Sequence, residues 1–168
     1  ETQDHIPFTM KNIEVMLNTI VQTQGQQMDR AIINVFDKLT KHYHENRYNV
    51  EGWKTNSHYM LNEKFIFPNM VDSDRWSWNS DYIHTTYSSN FHDIEDLVKA
   101  LCYITGDNYD DKSSLETFIR SEKIPYGKWR DWEYFEIRGY KKGTMHFKFK
   151  DKDIWAKFNQ RIAKLRGY

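Results

Sequence analysis

Apolar positions recur at helical spacing in the first part of the chain. Ile13, Met16, Leu17 and Ile20 fall on one helix face, and Thr9, just after Pro7, is placed to cap it. The stretch "QTQGQQ" (Gln22–Gln27) interrupts the stripe, with Gly25 as the expected kink or break. A second stripe follows at Met28, Ile32, Val35, Phe36, Leu39 and Tyr43 and ends near "KHYHENR". The pattern predicts two consecutive helices or one long bent helix, used as a helical hairpin or as an oligomerisation arm.

The period then changes. In "SHYMLNEKFIFP" Tyr59, Leu61, Phe65 and Phe67 alternate with Met60, Asn62, Lys64 and Ile66, a strand closed by Pro68. Glu63 falls on the apolar side and calls for a partner or a sheet edge. "NMVDSDRWSWNSDYIHTTYSSN" has no clean period and reads as a loop carrying at most one short strand, pinned by Trp76 and Trp78. "NFHDIEDLVKALCYITG" is the clearest helix. Ser89 or Asn90 caps it, and Asp93, Glu95 and Asp96 lie near the positive end of its dipole. Ile94, Leu97, Val98, Leu101 and Ile104 form its buried stripe, and Gly106 stops it. Ser113 and Glu116 have capping-box spacing for a short helix through Leu115, Phe118 and Ile119.

"YFEIRGYKKGTMHFKF" predicts a β-hairpin. Phe135 and Ile137, with Met145, Phe147 and Phe149 on the return strand, face one side, and Gly139 and Gly143 flank the turn. A last helix starts at Asp151 or Asp153 and aligns Ile154, Trp155, Phe158, Ile162 and Leu165. The expected fold class is α+β: N-terminal helices, a small antiparallel sheet with a C-terminal β-hairpin, and a C-terminal helix packed on the sheet. Residues 1–27 read as a helical N-terminal extension and 28–168 as a single α+β domain.

Composition adds limits. The 168 residues include six Trp and eleven Tyr, enough for a sizeable core despite a mean hydropathy of −0.87. No apolar run approaches the ~20 residues of a membrane span, and no signal peptide is visible. With Cys102 as the one cysteine, a buried small hydrophobe in its helix, the expectation is a cytoplasmic protein without disulfides. Net charge is zero, but residues 1–119 carry 10 Lys+Arg against 18 Asp+Glu and residues 120–168 carry 14 against 6. A basic last third points to an anionic partner, or to attraction between the two halves.

The hairpin's polar face locates that charge. It shows Glu136, Arg138, His146, Lys148 and Lys150, with Lys141 and Lys142 at the tip; the last helix adds Lys157, Arg161 and Lys164. Cations set along a surface with aromatics between them, here Tyr134 and Tyr140, are what phosphate binding needs. Lys64 and Arg75 are placed to join them. Lysines also keep sheet edges soluble, so a solvated edge is the alternative. Trp129, Trp132 and Trp155 read as core, and Trp53 as an anchor beside Lys54 and Asn56. His146, alone or with His44, is the candidate acid or base for a nucleic-acid hydrolase. His44 with His58, His92 or His146 is a candidate zinc set, without a cysteine pair to support it. Asp107, Asp110 and Asp111 lack the glycine and final glutamate of a calcium loop.

"YFEIRGYKKGTMHFKFKDKDIWAKFNQRIAK" resembles the C-terminal signature of bacterial domain-of-unknown-function family 4942. The matching positions are Phe135, Gly143, His146, Phe147, Phe149, Asp153, Trp155 and Asn159. "VFDKLTKHY", "TNSHYMLNEKFIF" and "DIEDLVKAL" fit its earlier elements, so the likeness runs from about Met28 to the C-terminus. The resemblance implies a mobile-element or phage-associated bacterial protein, often fused to or encoded near an adenine-type DNA methyltransferase, with some members described as zinc-binding. The methyltransferase's Gly-rich loop and Asn/Asp-Pro-Pro-Tyr/Phe motif are absent from this sequence, so methyl transfer does not carry over. The expected function is a non-catalytic accessory domain that binds the phosphate backbone of DNA or another nucleic acid through Arg138, Lys141, Lys142, His146, Lys148, Lys150, Lys157 and Arg161. The alternatives are a small metal-dependent or histidine-based hydrolase, and a protein-interaction module that dimerises through residues 8–46.

Overall fold

The computed structural model describes residues 9–45, 60–73 and 80–167, with the backbone alone for 41–45. Trp53, Lys54, Asn56, His58, Arg75, Trp76 and Trp78 lie outside the described residues, as do the side chains of Tyr43 and His44.

Met10–Glu45 is one helix, α1, of 36 residues, and Thr9 caps it by accepting the Asn12 N–H at 3.3 Å. Of the two expectations, two consecutive helices or one long helix, the second holds, and no break occurs at Gly25. Glycine inside a helix costs about 0.5–1 kcal/mol relative to alanine, far below proline's ~3, and the surrounding glutamines are good helix formers. The expected division after residue 27 therefore falls inside a continuous helix. Beyond it, Ile32, Val35, Phe36 and Leu39 are buried.

β1 (Lys64–Phe67) is shorter than the alternation suggested. The chain bends at Glu63, so its carboxylate is not forced into the core; its carbonyl accepts the Phe149 N–H at 3.0 Å. α2 (Asn90–Thr105) buries Ile94, Leu97, Val98 and Leu101 and closes on Gly106 in the left-handed region, as expected. Cys102 is buried within it. A 3-10 turn, Tyr109–Asp111, leads to α3 (Leu115–Glu122). Ser114, not Ser113, is the cap of α3 and accepts the Thr117 N–H; Ser113 instead donates its N–H and hydroxyl to Glu133.

Three strands complete the sheet: β2 (Arg130–Trp132), β3 (Phe135–Gly139) and β4 (Met145–Phe149). The order is β1-β4-β3-β2, antiparallel throughout. Phe65, Phe67, Phe135, Phe147 and Phe149 meet on one face; Phe65 stacks on Phe147 with centroids 5.3 Å apart, and Phe135 meets Phe149 at 4.8 Å. Each fully buried ring contributes roughly 1.5–3 kcal/mol of transfer free energy. α4 (Lys152–Arg166), capped by Asp151, adds the buried Phe158 and Ile162 to the same core. Asn159 ties it to the chain before β1, accepting the Leu61 N–H at 2.8 Å and donating to the Leu61 carbonyl at 3.2 Å; the Trp155 indole donates to that carbonyl at 2.7 Å. The architecture is the expected α+β arrangement, with the helical layer on one sheet face. Among the described residues no helix is long and apolar enough to cross a membrane.

Candidate nucleic-acid interface

Alternation along β3 and β4 sends Glu136, Arg138, His146 and Lys148 to the face away from the helices, where all four are half-buried. The register sets Arg138 opposite His146 and Glu136 opposite Lys148. β2 continues the row, because Arg130 pairs with Ile137 and brings Trp129 up to Arg138. The hairpin turn presents Lys141 and Lys142 to solvent and closes on Gly143 at φ +92°, whose N–H donates to the Tyr140 carbonyl at 3.0 Å. The Gly143 carbonyl accepts the Met70 and Val71 N–H groups at 2.9 and 3.2 Å, which pins the turn to the body of the protein.

Arg138 is the centre of this face. Its guanidinium carbon lies 5.5 Å from the centre of the Trp129 ring and 4.9 Å from that of Tyr140, cation–π distances. Its Nε is shielded from solvent and finds no acceptor, and no carboxylate pairs with it among the described residues. Tyr140 also touches His146, with ring centroids 4.6 Å apart. Burial, and then the Arg138 charge, push the His146 imidazole below its ordinary pKa of 6.5, so it is neutral at pH 7.

The other expected contacts divide. Lys148 is paired with Glu136 at 3.1 Å, so part of its charge is already answered. Lys150 is exposed at the end of β4 and Lys64 on β1. Lys141 lies 5.2 Å from the Tyr126 ring. Lys157 and Arg161 do not belong to this surface. They sit on α4, on the helical side of the sheet, and Arg161 is in an ion pair with Asp29 of α1. Arg166 pairs likewise with Asp37, so two cations of the basic third are paired with carboxylates of the first helix. Tyr134, expected between the cations, is turned inward; its hydroxyl donates to Asp107 at 2.6 Å, and burial raises its pKa. Trp132 is core as expected, whereas Trp129 is half-buried beneath Arg138.

Among the described residues no three His, Cys, Asp or Glu side chains gather as metal ligands. His92 is exposed on α2, apart from His146, and His58 and the His44 side chain lie outside the described residues. Trp129 and Tyr126 were the members that sequence reasoning missed. Their signal was a position just outside the hairpin, opposite a cation once the register is known.

Comparison with known proteins gives one match. Residues 1–168 match the family described as Domain of unknown function (DUF4942), 27 residues more than the likeness beginning at Met28. No curated protein and no solved structure matches.

Proposed function

This chain belongs to the DUF4942 family along its whole length, and from that premise we propose that it is a non-catalytic domain whose outer sheet face binds the phosphate backbone of a nucleic acid. The observation that carries this reading is Arg138. A half-buried guanidinium that meets no carboxylate among the described residues is unfavourable by itself, and an incoming phosphate supplies a counter-charge and acceptors for the N–H groups other than the shielded Nε. Lys141 and Lys142 extend the positive surface along the turn, and Trp129 and Tyr140 supply ring faces beside it. Protection of a sheet edge is a poor explanation for Arg138, because β3 is one of the two inner strands. A place beside a bacterial DNA-modifying enzyme or on a mobile element is part of the same proposal.

The test is fluorescence anisotropy with a labelled strand of about 20 nucleotides, single and duplex. Three phosphate contacts, from Arg138, Lys141 and Lys142, give a log–log salt slope of about −2 to −3. Affinity then falls roughly 20- to 40-fold between about 50 and 200 mM salt. Absence of binding at the lower salt defeats the proposal.

A second reading has its own observation. The first half of α1 carries exposed Met10, Val15, Met16, Leu17, Ile20 and Val21, with Leu17 56% and Val21 67% exposed. Met10, Leu17 and Val21 continue the helix side that Met28, Val35 and Leu39 bury further along. A homodimer through this arm is the expected consequence. Sedimentation of wild type against Leu17→Glu tests it, and a monomeric wild type refutes it.

A further inference from the structure

Beside Arg138 the outer face opens into a pocket of about 770 Å³ formed by Tyr126, Tyr140, Thr144 and His146, with Lys141 and Lys142 at its mouth. We infer that this pocket receives the base of an unpaired nucleotide, which makes the surface a single-strand site rather than a duplex site. The inference rests on the phosphate-binding reading and sharpens it.

Four features favour a base. The volume falls within the roughly 300–1,000 Å³ of small-ligand pockets, so one nucleoside fits. The walls are largely rings: Tyr126, Tyr140 and His146. A base has two flat π-faces to set against such rings, and stacking of this kind is a factor of about 5 to 150 in affinity per base. Hydrogen-bonding groups are also present. Neutral His146 carries one ring N–H donor and one bare nitrogen acceptor, and the Thr144 hydroxyl serves in both senses, the mixed pattern that a base edge displays. The last feature is placement. Tyr140 lies 4.9 Å from the Arg138 guanidinium carbon and 4.6 Å from the His146 ring, so the anion site and the pocket share a wall. A phosphate and its own base, joined through one sugar, need two such adjoining sites. In a duplex the bases are stacked and paired, so no base can enter a pocket of this kind without leaving the stack; a single strand can splay one out.

Three labelled probes of equal length decide the matter with the full chain: a single strand, the same strand with abasic sugars at its central positions, and a duplex. The expected result is that the base-bearing strand binds at least about 10-fold more tightly than the other two. 2-Aminopurine at the centre should change its fluorescence on binding, a readout that needs no variant. Thr144→Phe, which fills the pocket, should abolish the preference for the base-bearing strand; circular dichroism checks its fold. Thr144→Val, a smaller change, should reduce that preference several-fold. Equal, steeply salt-dependent binding of all three probes, or tighter binding of the duplex, overturns the base pocket and leaves the phosphate site standing. A preference that survives both Thr144 variants also overturns the assignment, since the base is then held elsewhere. No binding to any probe overturns both.

Discussion

Arg138→Met distinguishes a guanidinium kept for the fold from one kept for a ligand. Methionine preserves an unbranched stem against Trp129 and Tyr140 and removes the charge. The two ring contacts, at 5.5 and 4.9 Å, are each worth about 0.5–1 kcal/mol in a partly exposed setting. Against them stands the desolvation of a half-buried cation that meets no carboxylate among the described residues, an effect of a few kcal/mol per ion. The terms nearly cancel or favour methionine, so stability in urea should be unchanged or higher by about 1 kcal/mol. Strand affinity behaves differently. A charge-assisted phosphate contact contributes about 1.5–3 kcal/mol, so the variant should bind about 10- to 150-fold more weakly.

A third readout is independent of both. Arg138 is one of the two causes that depress the His146 pKa, burial being the larger, so in the variant the imidazole should titrate closer to 6.5 when followed by NMR. Arg138→Lys keeps the charge without the planar fork and should fall between wild type and methionine in affinity. A methionine variant that loses more than about 2 kcal/mol of stability while binding normally would refute the reasoning. Arg138 would then be part of the scaffold.

Other outcomes follow from single contacts. Glu136→Gln releases Lys148 from a pair whose members are each about one-third exposed; stability should change by less than about 1 kcal/mol, while strand affinity rises and the salt slope steepens by about 0.7. The folded His146 pKa lies below 6.5, so the stability that its neutral form contributes is complete above that pH and is lost as the pH falls from there through the folded value. His146→Gln should flatten that part of the stability–pH curve in urea titrations from pH 8 to 5, and an unchanged curve would show the burial argument to be wrong. Asn159→Ala leaves the Leu61 N–H without its 2.8 Å acceptor and should lower the unfolding free energy by about 1–3 kcal/mol. In Gly139→Ala the new methyl would sit 2.6 Å from Ile83 Cδ1 and 3.3 Å from Val71 Cγ2. The expected cost is about 1–3 kcal/mol, partly recovered by Ile83→Val in the same chain.

The elements legible in the sequence were those whose signal is local. α2, α4 and the β3–β4 hairpin each carry a full apolar stripe or alternation with a capping or turn residue at the end. β2 was missed because its signal is not of that kind. It has three residues, two of them charged, and its turn to β3 sets Glu133 at φ +46°, where glycine or asparagine is the usual marker. The continuity of α1 was only one of two readings that the sequence left open, because glycine is a strong marker of breaks; the packing of Met28 to Leu39 holds the second half, and nothing at Gly25 opposes the helix.

The site was legible by face but not by pairing, and the difference lies in the turn. Alternation alone puts Arg138, His146 and Lys148 on one side of the hairpin. Which cation meets which neighbour depends on the loop. A two-residue loop at Lys141 and Lys142 would shift the register by one and send Arg138 opposite Met145, whose side chain belongs to the other face. The observed loop adds Gly143 in the left-handed region and restores Arg138 to His146 and Lys148 to Glu136. That one residue decides which cations have an internal partner. It answers Lys148 with a carboxylate and places Arg138 beside a neutral histidine, between Trp129, just before β2, and Tyr140 at the turn. The sheet order adds what the hairpin alone cannot show. With β1 and β2 outside it, the cation pair of β3 and β4 lies at the middle of the sheet, where solubilising an edge is not a reason for charge. A guanidinium that meets no carboxylate among the described residues, at the centre of a ring-lined open face, is the feature on which the proposed anion binding stands or falls.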